Sequence, residues 1–166
     1  MISEAEIRRF AAGNRVDPMV IDLDYSLGWF LLGMIKTAEQ FNGLLFKGGT
    51  CLRKCYFPDY RFSEDLDFTA TTFLSPADLE KWMVESGNWI SDHDGPDFHV
   101  QPIHFENVQD EYGSETYQAR IYYRGPLRWG GSPRAVKVDV TRAEKVLLQA
   151  NERQINHPYS DRSIFI

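Results

Sequence analysis

Apolar residues recur at helical spacing over two long stretches of the chain. After Asp17-Pro18, the positions Met19, Ile21, Leu23, Leu27, Phe30, Leu31, Met34, Ile35, Ala38 and Phe41 follow a three-to-four-residue period. Pro18 suits the first helical position and Asn42-Gly43 supplies a stop, so the pattern predicts one amphipathic scaffold helix over 18–41. A second long helix is predicted over 76–90, capped by Ser75, with Leu79, Trp82, Met83, Trp89 and Ile90 toward a core. Ser3 and Glu6 fit a capping box for a shorter N-terminal helix. Leu44-Leu45-Phe46 reads as a short buried strand, and Gly48-Gly49-Thr50 opens a helix of about two turns ending at Tyr56. After the Pro58-Asp59 turn, Asp65 to Phe68 alternates polar and apolar residues as a half-buried strand does. Three antiparallel strands are predicted over 99–106, 116–123 and 135–141, with loops at Glu111-Tyr112-Gly113 and Gly130-Gly131-Ser132-Pro133. The order predicts an α+β fold with a mixed sheet flanked by helices.

Composition narrows the class. The 166 residues are 43% hydrophobic, 14% aromatic and 25% charged, which is enough for one domain with a real core. A net charge of −6 excludes a global basic field for gripping nucleic acid, while a local basic patch stays open. Two cysteines make no disulfide framework, so a reducing, cytoplasmic setting is expected. No apolar run reaches the roughly 18 residues of a membrane span, and the N-terminus lacks the apolar core of a signal peptide, so no membrane partner is expected. His157 to Asp161 reads as a loop. The three apolar residues Ile164-Phe165-Ile166 are expected either to tuck into this domain or to mark a domain boundary.

Three segments carry candidate chemistry. In Lys47-Gly48-Gly49-Thr50, two glycines between strand and helix allow positive φ and a close ligand approach, and the helix start turns N–H groups toward an anion. A plain strand-to-helix connection would look the same. In Asp65-Leu66-Asp67, period-two geometry puts both carboxylates on one face, ~7 Å apart along the strand. Their repulsion is relieved by a divalent cation, and Mg2+ favours carboxylate plus phosphate oxygens. In Val136-Lys137-Val138-Asp139-Val140-Thr141, alternation sends the valines to the core and Lys137, Asp139 and Thr141 to the other face. If this strand neighbours the Asp65 strand, Asp139 becomes a third carboxylate, and the set suits attack on a nucleotide α-phosphate. A solvated strand face is the alternative for Lys137 and Asp139.

In that order, Leu45-Phe46-Lys47-Gly48-Gly49-Thr50-Cys51-Leu52-Arg53-Lys54-Cys55-Tyr56 and Arg61-Phe62-Ser63-Glu64-Asp65-Leu66-Asp67-Phe68 strongly resemble the KGGT…RFSEDLDF signature of the AbiEii/AbiGii toxin family. That family lies within the DNA polymerase β-like nucleotidyltransferase superfamily, and the resemblance extends over roughly residues 15–160. It implies a nucleotidyltransferase fold using NTP and Mg2+, with Mn2+ as the alternative ion. Gly48, Gly49 and Thr50 would hold the triphosphate, and Asp65 and Asp67 would bind metal. Asp139 would be the third carboxylate, as ligand or base for the nucleophile. Lys47, Lys54, Arg61, Ser63 and Lys137 would flank the nucleotide, Lys137 within the catalytic set. The implied layout is helices within 1–42, a catalytic core over 43–145, and a tail over 146–166 that leads toward a helical region outside this sequence.

Several features receive no catalytic role. Cys51 and Cys55 share a helix face, but no second Cys/His pair has zinc spacing, so core packing is expected. His93, His99, His104 and His157 are scattered. From Arg120 to Lys137 there are five basic residues and no acid, interleaved with Tyr122, Tyr123 and Trp129, which suits an RNA-facing patch or a solvated hairpin. The leading expectation is a toxin of a toxin–antitoxin or phage-defence pair that transfers NMP to an RNA acceptor, tRNA foremost, with a cognate antitoxin as partner. The alternatives are AMP transfer to a protein hydroxyl, and a non-catalytic nucleotide- or partner-binding domain.

Overall fold

The computed structural model describes residues 1–40, 43–109 and 111–166. Among these described residues four α-helices, α1 (Glu4–Asn14), α2 (Pro18–Lys36), α3 (Gly48–Cys51) and α4 (Pro76–Ser91), accompany five strands. The strands are β1 (Leu44–Lys47), β2 (Asp65–Ala70), β3 (His104–Gln109), β4 (Glu115–Tyr123) and β5 (Arg134–Thr141). They form one mixed sheet in the order β1-β2-β5-β4-β3, parallel only between β2 and β5. The fold is α+β with helices flanking that sheet.

Local chemistry sets most boundaries. The Ser3 side chain accepts the Glu6 N–H at 3.2 Å, and Asp17 accepts Met19 N–H at 2.8 Å ahead of Pro18. Helix α2 ends at Lys36, earlier than the expected 41. Thr37 Oγ1 bonds back to the Gly33 carbonyl at 2.8 Å, and a short 3-10 turn (Ala38–Gln40) follows. Phe41 and Asn42, expected as the helix end and stop, lie outside the described residues. Beyond α3 the chain widens into one π turn, Leu52–Tyr56, closed by Phe57 N–H to Leu52 O at 2.7 Å. The strand expected over 99–106 begins only at His104. Pro102 cannot donate to a ladder, and the His99 N–H goes to the Asp97 side chain at 2.8 Å. Strand β1 is half-buried rather than buried.

One sheet face supplies the core. Leu66 and Phe68 of β2, Val136, Val138 and Val140 of β5, and Tyr117, Ala119, Ile121 and Tyr123 of β4 are all buried toward α2 and α4. A side chain at Gly33 would meet Ile90 at 2.8 Å and the Ser86 carbonyl at 2.9 Å, so its absence lets α2 and α4 pack closely. By length and mean hydropathy α2 could cross a membrane, although Asp22 and Asp24 interrupt its apolar run, and 78% of that stretch is buried inside the fold. It is the core helix. The tail packs on the same side. Phe165 stacks on His157 with ring centroids 3.6 Å apart, and Tyr159 is 2% exposed, while Ile166 is 87% exposed.

Candidate functional site

The opposite sheet face carries the polar residues in register. Lys47 of β1 pairs with Asp67 of β2, which pairs with Asp139 of β5, which pairs with Gln118 of β4. The neighbouring row runs Asp65, Lys137, Arg120, His104. The parallel β2–β5 pairing thus makes the condition on Asp139 true: it stands beside Asp67. Carboxylate oxygens of Asp65, Asp67 and Asp139 all lie within 4.8 Å of one another, and each residue is half-buried. Among the described residues this is the one such group of acids, and Cys51 and Cys55 belong to none. Cys51 is buried and donates to the Phe46 carbonyl at 3.5 Å, as core packing predicts.

Crowding leaves an electrostatic mark. Burial raises the Asp67 carboxyl above its ordinary value, and the charges of Asp65 and Asp139 raise it further against the pull of Lys47. Burial and Asp65 likewise raise Asp139, opposed by Lys137. Three hard oxygen donors that repel one another form a site in which a divalent cation fits.

The Gly-Gly turn closes over this triad. Gly48 has φ 77°, and a Cβ there would lie 2.1 Å from Asp67 Oδ2, so any other residue would be strained and would push that carboxylate aside. A Cβ at Gly49 would meet Ser63 Oγ at 2.9 Å and the Arg61 guanidinium at 3.7 Å. Arg61 and Ser63 therefore flank the turn, and Arg61 is exposed. The Thr50 hydroxyl is turned inward, donating to the Asp65 carbonyl at 2.6 Å, so it pins the turn to β2 and leaves only its backbone for a ligand.

Lys54 is not brought to this group. It is 2% exposed and ion-pairs with buried Asp24 at 3.1 Å, an acid that also accepts the Tyr159 hydroxyl at 2.8 Å. The basic stretch is divided as well. Arg120, Arg124, Arg128, Trp129 and Lys137 are exposed, whereas Arg134 reaches the Met19 carbonyl at 2.6 Å on the helical side. Glu144, a residue the sequence pattern did not single out, joins the triad's neighbourhood through Lys47 and Thr69.

A protein-family model for the nucleotidyl transferase AbiEii toxin of type IV toxin–antitoxin systems matches residues 29–165. The chain belongs to the AbiEii nucleotidyltransferase toxin family. The match contains the Gly-Gly turn, all three acids and Glu144, and it reaches into the tail beyond the expected residue 160. Membership implies a nucleotide substrate and a cognate antitoxin. No curated protein matches the chain.

Proposed function

We propose that this AbiEii-family chain transfers a nucleoside monophosphate from an NTP to an RNA acceptor, tRNA foremost, with Mg2+ and in the cytoplasm. One observation carries the reading: three carboxylates within 4.8 Å beneath a glycine turn that a side chain would obstruct. Asp65, Asp67 and Asp139 are the residues to hold the ion. Bound there, a divalent cation would neutralise charge on the α-phosphate and polarise it toward attack.

Gly48 and Gly49 offer backbone N–H groups to the triphosphate, with Arg61 and Ser63 beside them. Thr50 contributes through its main chain. Lys47 and Lys137 pair in register with Asp67 and Asp65, and both can offset phosphate charge. Asp139, on the strand nearest the basic half of the face, orients or deprotonates the acceptor hydroxyl. Exposed Lys137, Arg120 and Arg124, with Trp129 58% exposed, favour a polyanionic acceptor with stacking bases. Residues 43–145 form the catalytic core, with helices before it and the packed tail after it.

The test offers each α-labelled NTP with Mg2+ to total RNA and to total cell protein. Label entering small RNA supports the reading. Label entering protein instead replaces the acceptor with a protein hydroxyl, and nucleotide binding without any transfer makes the chain a binding domain.

A further inference from the structure

After β5 the backbone passes through Ala143 at φ 59°, a left-handed conformation that is strained for a residue with a Cβ. This turn swings Glu144 back over the polar sheet face. There its carboxylate accepts from the Lys47 ammonium and from the Thr69 hydroxyl. Thr69 is 3% exposed and pairs with Thr141, so Glu144 sits one residue row beyond Asp67 and Asp139. Lys47 Nζ is also 3.5 Å from Thr141 Oγ1. The ammonium is thereby drawn toward the threonine row. Its other acidic neighbour is Asp67, directly opposite it in the β1–β2 ladder.

We propose that Glu144 is a positioning residue that keeps the Lys47 ammonium off the Asp67 carboxylate, so the three-acid cluster stays open to a divalent cation, and that it yields Lys47 to the phosphates of an incoming nucleotide. The proposal rests on the reading of Asp65, Asp67 and Asp139 as a cation site. Without the Glu144 charge, Asp67 becomes the nearest anion to Lys47. An ammonium paired there competes with the cation for the same carboxylate oxygens. Glutamine at 144 keeps the shape and an oxygen for Thr69 while removing the charge that draws Lys47 away.

Mn2+ binding to the full chain, measured by calorimetry without nucleotide, tests this. E144Q should weaken Mn2+ binding by roughly tenfold, as loss of one nearby charge-pairing partner in a half-buried site implies. In a Lys47→Met background the same change should have little effect, because the competing ammonium is gone. E144D should restore most of the affinity. An E144Q effect of equal size in both backgrounds would mean a general field effect and overturn the positioning role. Unchanged affinity in E144Q overturns it too. A native chain that binds no Mn2+ overturns the cation-site reading beneath it, which separates the two failures.

Discussion

At the scale of single residues, the site follows from where a Cβ can and cannot be. Gly48 combines φ 77° with a Cβ position only 2.1 Å from Asp67 Oδ2. Gly48→Ala should therefore lower stability by at least ~1–2 kcal/mol from the backbone alone and displace Asp67. Thermal unfolding alongside nucleotide transfer checks both, and a fully active, equally stable variant would contradict the account. The D-x-D spacing and the Gly-Gly turn were legible because period-two geometry and glycine's φ freedom are local properties. Thr50 was half legible: its position in the turn was readable, but not that its hydroxyl would turn inward to Asp65. Glu144 was not legible at all. Its place depends on a left-handed Ala143, which nothing in an Ala-Glu-Lys stretch announces.

At the scale of elements, pairing decides what alternation leaves open. The Val136–Thr141 pattern showed which residues share a face, but only the parallel β2–β5 register makes Asp139 a neighbour of Asp67. Helix α2 shows the converse. Its apolar period was clear, yet Asp22 and Asp24 inside it are buried, and the sequence gives no local sign that each has a partner waiting. Asp22 accepts the Leu127 N–H at 3.0 Å, and Asp24 holds Lys54. A motif alone placed Lys54 beside the nucleotide; the π turn after α3 instead carries it to α2. Lys54→Met should cost about 1–3 kcal/mol, because it leaves buried Asp24 with only Arg53 at 3.6 Å and the Tyr159 hydroxyl as partners, while Mn2+ affinity of the folded protein stays unchanged. Chemical denaturation and calorimetry separate these effects. A stable variant with weakened Mn2+ or nucleotide binding would return Lys54 to the site.

At the scale of the whole molecule, the tail closes against the helical side through polar contacts that few sequence patterns disclose. Asp161 accepts from Tyr25 at 2.6 Å, Trp29 at 3.2 Å and His157 Nε2 at 2.7 Å, and Glu6 accepts from Ser160. Burial lowers the His157 pKa from its ordinary 6.5, although Asp161 pulls the other way. An unfolded histidine takes up its proton near that value while the folded one resists. The unfolded chain thus binds more protons in the window just below about 6.5, and stability should fall as pH drops through it. Asp161, held below its ordinary value largely by His157 and Tyr25 against its own burial, loses its contribution only at lower pH. The urea midpoint should decline between about pH 7 and 5.5, with a shallower decline in His157→Gln. Equal slopes would remove His157 as the cause.

As the proposed cation site, the crowded triad is kept at the expense of stability. A carboxyl raised by burial and like charge destabilises the folded chain at neutral pH, and the penalty eases as pH falls through its titration. The most direct measurement is therefore Asp67→Asn at neutral pH, followed by thermal unfolding without metal and by transfer of α-labelled NTP to acceptor. The account predicts a variant at least as stable as the native protein, with transfer abolished. A variant that still transfers label at the native rate would contradict it.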